Sequence, residues 1–183
     1  MTQKWTPDGD VSNSGFTDNG GGSSNLYTKI DEDTVGGSTD STYIQATDDD
    51  SSSNKNVILT LEDESTPDSG DCKFYFRAKS TNNYGFMGGS ALTIKIHLLE
   101  GSSNTSRDTY QTALSTSFTN YESDVLDVSG VSDWSELRVK IEVLTGGGMG
   151  DTATVSNLYL QTPAAGSSSA KIPVTLFING MST

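Results

Sequence analysis

The sequence predicts an all-β protein, a two-sheet antiparallel sandwich of jelly-roll type, and three observations carry that reading. The run ALTIKIHLL alternates, with Leu92, Ile94, Ile96 and Leu98 on one side and Thr93, Lys95 and His97 on the other. ELRVKIEVL repeats the pattern with Leu137, Val139, Ile141 and Val143, and KFYFRAK does so with Phe74, Phe76 and Ala78. Strands with one dry face must meet across a common core, which calls for two packed sheets. The strand candidates also recur at the regular spacing of a sandwich, and no long helical period interrupts them.

Taken in order, the chain opens with a segment of little continuous apolar patterning. From residue 1 to 39 isolated anchors, Trp5, Phe16, Leu26, Tyr27 and Ile30, stand among Gly, Ser, Asn and Asp. Such a segment gains too little by burial to offset its own ordering, so it is expected to be an extended arm, either mobile or laid along its own domain or a neighbour. The anchors favour the laid-down form, and Trp5, Phe16 and Ile30 are assigned to an interface.

The sandwich is expected over residues 40–162, with strands at Thr42–Thr47, Asn56–Leu61, Lys73–Lys79, Ala91–Leu99, Thr109–Ser115, Asp124–Val128, Glu136–Leu144 and Thr154–Gln161. Connections such as DDDSSSNKN, DESTPDSGD and TGGGMGD hold the Gly, Asn, Asp and Ser that turns require. VSDWSEL is the one helical candidate, a single turn capped by Ser132 or Asp133, with Trp134 plugging the end of the sandwich.

Residues 163–183 form the third unit, a TPAAGSSSA linker followed by KIPVTLFINGMST. Val174, Leu176 and Ile178 alternate with Thr175, Phe177 and Asn179, and Pro173 confines any strand there to an edge or a strand start. The tail can extend a sheet edge of a neighbouring chain or add a ninth strand to its own domain, and Val174, Leu176 and Ile178 are its interface residues.

Composition narrows the function classes. The 183 residues are 32% hydrophobic and carry a formal net charge of −13, which repels phosphate backbones, so no nucleic acid is expected. No segment has the length of a membrane span and the start lacks a secretion signal, so no membrane partner is expected and the chain is read as made in a host cytoplasm. The lone Cys72 is read as a small strand-edge residue, and Asn104-Thr105-Ser106 as a coincidental glycan acceptor motif.

Catalytic patterns are missing. His97 alternates with Lys95 on a polar strand face without a recognisable nucleophile, and one Cys with one His cannot complete a zinc site. The acidic runs at 31–33, 48–50 and 62–64 sit in predicted loops, where water keeps carboxylates ionised. Sandwich loops can gather carboxylates around calcium, and Asp8, Asp10, Asp48, Asp49 and Asp50 are the residues to do so, yet PDGDVSNSG lacks the terminal acidic ligand of an EF-hand. No cofactor is assigned. GGGSS and TGGGMGD lack the Lys-Ser or Lys-Thr of a phosphate loop and are read as turns. Tyr75, Tyr84, Phe86, Tyr110, Tyr121 and Tyr159 could instead build a sugar-stacking platform, although cross-strand packing uses the same residues.

LYTKIDE, DSTYIQA, FYFRAKS, LTIKIHLLEG, TSFTNYESDVL, VSDWSELRVKIEV and ATVSNLYLQ occur in that order between Leu26 and Gln161. This succession resembles β-sandwich virion proteins of tailed bacteriophages, of head-decoration or tail-fibre type. The resemblance implies a non-enzymatic particle component and carries over no catalytic residue. The resemblance leaves head and tail both open, and an acidic, small-core domain with an arm and a tethered terminal strand is read first as a capsid decoration (cement) protein on the virion surface. Its partners would be the major capsid protein and further copies of itself, a trimer being favoured. The alternative is a tail-fibre or receptor-binding module that grips carbohydrate.

Overall fold

The structure is a computed structural model that describes residues 2–31, 39–48, 53–62, 66–67, 70–81, 92–144 and 150–163. The strands, in chain order, are β1 (Thr2–Trp5), β2 (Pro7–Ser14), β3 (Phe16–Asp18), β4 (Ile44–Thr47), β5 (Lys55–Leu61) and β6 (Lys73–Ser80). They continue with β7 (Thr93–Glu100), β8 (Thr105–Ala113), β9 (Thr119–Glu122), β10 (Leu137–Leu144) and β11 (Thr152–Pro163). Among the described residues the only helical pieces are short 3-10 turns at Leu26–Lys29, Thr39–Ser41 and Trp134–Glu136.

These strands form two antiparallel sheets, as the alternation predicts. One runs β3-β4-β11-β6-β9, with β1 paired to the far end of β11, and the other runs β2-β5-β10-β7-β8. Counting β4 to β11 afresh as one to eight, the orders become 1-8-3-6 and 2-7-4-5, which is the strand order of a jelly roll.

Period two decides which side chains meet. On β6, Phe74, Phe76 and Ala78 are buried while Lys73, Tyr75, Arg77 and Lys79 stand on the other face. In the opposing sheet Val139, Ile141 and Val143 of β10 lie in register with Leu98, Ile96 and Ile94 of β7, and all six are buried. Each such side chain contributes about 1.5–3 kcal/mol by leaving water, so the two inner faces hold the layers together. Trp134 closes one end: its ring lies 5.9 Å from that of Trp5, and the Asp133 carboxylate caps its turn by accepting the Ser135 amide at 3.0 Å.

The structure corrects the expected arm. β1 pairs with β11, β2 with β5 and β3 with β4, so the first strands belong to both sheets and no boundary falls at residue 39. Trp5, Phe16 and Ile30 are at most 1% exposed and sit in the core cluster, so they are intramolecular anchors and not an interface. The three strands achieve this despite sparse apolar content because each takes its hydrogen bonds from an established neighbour.

The chain passes from one sheet to the other between β2 and β3. Gly15 takes φ +93° at that corner, and Asn13 brackets it: its Oδ1 accepts the Phe16 amide at 2.9 Å while its Nδ2 donates to the Phe16 and Ser23 carbonyls. Another correction concerns 124–128, which is not a strand. There Leu126 is buried, its amide donating to the Cys72 carbonyl, Val128 packs against the core from its margin, and the edge strand is β9 just before it. Val174, Leu176 and Ile178 lie outside the described residues.

Candidate functional site

The outer face of the six-stranded sheet carries the best-organised surface chemistry. Register places Tyr75 of β6 between Tyr159 of β11 and Glu122 of β9, so three side chains project side by side. The Tyr75 and Tyr159 rings stack, with centroids 5.4 Å apart and planes 17° from parallel. Lys4 of β1 lays its ammonium 4.9 Å from the centre of the Tyr159 ring, which leaves Tyr159 only 6% exposed and makes Tyr75 the more accessible of the pair.

Two shallow grooves meet at Tyr75. One, of about 310 Å³, is lined by Tyr75, Asn120, Tyr121, Glu122 and Tyr159. The other, of about 560 Å³, is lined by Tyr75 with Thr2, Gly70, Asp71, Lys73, Gln161 and Pro163. Together they offer an aromatic surface rimmed by amide, carboxylate, ammonium and hydroxyl groups.

Paired charges fix that rim. Lys73 donates to Glu122 at 2.6 Å, which pulls the Glu122 carboxyl below its usual range and raises the Lys73 ammonium. The Tyr75 phenol is raised, first by burial and then by the Glu122 charge with which it shares a hydrogen bond. Further along β6, Arg77 grips Asp40 with two bonds of 2.7 and 2.9 Å and donates to Asn120 at 2.8 Å, while Ser156 donates to Asp40 at 3.2 Å. The Asp40 carboxyl is accordingly lowered, chiefly by its hydrogen bond from Arg77.

This electrostatic state bears on catalysis. A glycoside hydrolase needs one carboxyl held protonated by a raised pKa, whereas Asp40 and Glu122 are both pushed toward the ionised form. The arrangement can stack on and hydrogen-bond a ligand, but neither carboxylate is poised as a proton donor.

The other candidates disperse. Asp10 accepts the Leu26 and Tyr27 amides, Asp8 accepts the Thr60 hydroxyl, and Asp48 lies buried where its amide meets the Asp151 carbonyl. Asp49 and Asp50 lie outside the described residues, among which no group of three or more His, Cys, Asp or Glu is placed to hold a metal ion. Of the aromatics, Tyr110 and Tyr121 pack on Phe76 at 6.1 and 5.0 Å, and Tyr84 and Phe86 lie outside the described residues. Cys72 is 1% exposed with its thiol pushed up to about 11 by burial and then by Asp71, so it is unreactive at neutral pH.

His97 sits on the outer face of the five-stranded sheet. Its Nδ1 meets the Thr109 hydroxyl at 3.0 Å and its Nε2 meets Glu142 at 3.1 Å. This is a hydroxyl, imidazole and carboxylate in series, on a strand face that neither groove reaches. Sequence spacing could not have found it, because the three residues meet through the register of β8, β7 and β10.

No family model and no curated protein matches the chain. Solved structures do. An arabinose-bound α-L-arabinofuranosidase aligns with a TM-score of 0.53 at 13% identity, over 85% of this chain but 22% of that one, so the likeness concerns one part of the larger enzyme. The family 30 carbohydrate-binding module of a Clostridium thermocellum cellulosomal cellulase aligns at 0.49 and 11% identity, over 87% of this chain and 96% of that one. The family 11 carbohydrate-binding module of Clostridium thermocellum, in complex with a β-1,3-1,4-mixed-linked tetrasaccharide, gives 0.45 at 15% identity, over 89% of each chain.

Proposed function

We propose that this chain is a non-catalytic carbohydrate-binding β-sandwich whose site is the double groove around Tyr75. The observation that carries the reading is the stacked Tyr75 and Tyr159 pair on an outer sheet face, set between two grooves. A sugar presents an apolar ring face and a rim of hydroxyls. An aromatic surface satisfies the first, and fixed donors and acceptors such as Lys73, Asn120, Glu122 and Gln161 satisfy the second. Ion pairing holds Lys73 and Glu122 in place before a ligand arrives, which lowers the ordering cost of binding. The lowered carboxyls support binding over hydrolysis.

The test is a glycan array probed with the full chain and with Tyr75→Ala. The reading expects a defined set of glycans to be bound by the former and lost by the latter while both melt cooperatively. An array without any bound glycan would sink it.

The setting is a finer matter. The sequence resemblance supports a phage particle component, and the groove around Tyr75 taken together with it favours a tail-fibre or receptor-binding module as the form of this function. A capsid decoration protein, bound to the major capsid protein and to further copies of itself, is the second reading and rests on the same resemblance. The burial of Trp5, Phe16 and Ile30 takes away half of the tethering residues it relied on. Co-sedimentation of the full chain with undecorated capsids would distinguish the two settings: saturable binding favours decoration, and its absence together with glycan binding favours the receptor-binding form.

A further inference from the structure

We propose that the site takes the interior of an extended glycan chain laid along β6, with Phe118 as a second aromatic station beyond Tyr75. This rests on the carbohydrate reading above and specifies the form of ligand.

Phe118 lies in the loop between β8 and β9. The Arg77 guanidinium carbon is 5.5 Å from its ring centre and the Lys79 ammonium 4.5 Å. Both cations project from β6 on the same side as Tyr75, because residues two apart share a face. Phe118 therefore lies on the outer face of the six-stranded sheet, held by two cation–π contacts. Phe118 as a residue is half-buried.

The two stations are linked. Asn120 lines the groove beside Tyr75 and accepts a hydrogen bond from Arg77, the residue that supports Phe118. Along a strand that rises roughly 3.3 Å per residue, the Arg77 to Lys79 stretch begins about 7 Å from Tyr75 and ends about 13 Å from it. One sugar ring in contact with Tyr75 does not reach Phe118, whereas successive rings of one chain can touch both. The intervening polar groups, Arg77, Asp40 and Asn120, are already fixed in one hydrogen-bond network, which the buried Ser156 completes from beneath by donating to Asp40, and they meet the hydroxyls between the two contacts.

The experiment uses the full chain on an array printed with di- to hexasaccharide ladders of β-1,4-linked gluco-, xylo- and galacto-oligosaccharides alongside branched and terminal-sugar glycans, followed by calorimetry on the bound ladder. Affinity should rise about tenfold or more from the shortest to the longest member. Phe118→Ala should bring the longest member close to the affinity of the shortest, and Phe118→Leu, which keeps apolar bulk without a flat ring, should do the same at an unaltered melting temperature. Length-independent affinity, a preference for terminal-sugar glycans, or a Phe118→Ala chain with the unaltered length gain overturns the extended-chain inference while leaving the Tyr75 reading in place. A chain that binds none of the printed glycans overturns both.

Discussion

The Trp5 indole N–H donates to the Thr162 hydroxyl at 2.9 Å, joining the first described strand to the last inside the core. Trp5 is 0% exposed and packs on Trp134, so the N-terminal strand is part of the foundation of the fold. Trp5→Ala should cost about 3–5 kcal/mol, read from urea denaturation. Trp5→Phe, which keeps most of the bulk and leaves the Thr162 hydroxyl with its bond to the Pro163 carbonyl alone, should cost about 1 kcal/mol. A change below about 1 kcal/mol for Trp5→Ala would mean that β1 is peeled off in solution.

Glu100 gives the fold its acid limit. It is 5% exposed, accepts the Ser132 hydroxyl at 2.6 Å and the Ser132 and Asp133 amides at 3.0 and 2.7 Å, and pairs with Arg107. The Ser132 hydroxyl does most, against the opposing effect of burial, to hold its carboxyl down to about 2 from 4.5. A depressed carboxyl stabilises the folded chain above the unfolded pKa, so up to about 3 kcal/mol should disappear as pH falls from 4.5 toward 2. Glu100→Gln should flatten that part of the stability profile. An identical acid limb in the variant would remove this assignment.

His97 acts in a separate window. Burial lowers its pKa below 6.5, outweighing the pull of Glu142, and the Lys140 and Lys95 charges lower it further. The unfolded chain then binds the proton more readily, so stability should fall as pH drops through 6.5 toward the lower folded value. An NMR titration of the single imidazole checks the sign, and a folded pKa at or above 6.5 would reverse it.

Gly15 tests the corner where the chain changes sheets. Its φ of +93° disfavours any side chain, and an added Cβ would lie 2.6 Å from Cδ of Lys55, a long side chain that must shift to admit it. Gly15→Ala should therefore cost about 1 kcal/mol, mostly from the backbone. A gain in melting temperature would show that the corner relaxes to a different conformation.

Which parts of this were legible in the sequence follows from how each residue meets its partners. β5, β6, β7 and β10 announce themselves because one dry face alternates with one wet face over several residues, whereas β11 is buried on both faces along most of its length. β2 does not, since PDGDVSNS lies at a sheet edge and is mostly exposed along its length. DVLDV misleads in the opposite direction, for its three apolar residues suggest a strand while Val125 is exposed and Leu126 is the one buried side chain among them. Tyr75 and Tyr159 were both visible as aromatics, yet their stacking depends on the β6 and β11 register after a bulge between Val155 and Asn157. No local pattern encodes that bulge. Phe118, inside TSFTNYESDVL, has no alternating pattern of its own to single it out, because its placement over the sheet comes from cations on another strand.

The most direct test of the central claim is to locate a bound glycan by amide chemical-shift mapping on the labelled full chain. The account predicts that titration with an array-positive oligosaccharide perturbs Lys73, Tyr75, Asn120, Glu122 and Gln161 on the outer face of the six-stranded sheet. Perturbations confined to the opposite sheet, around His97, Thr109 and Glu142, would contradict it.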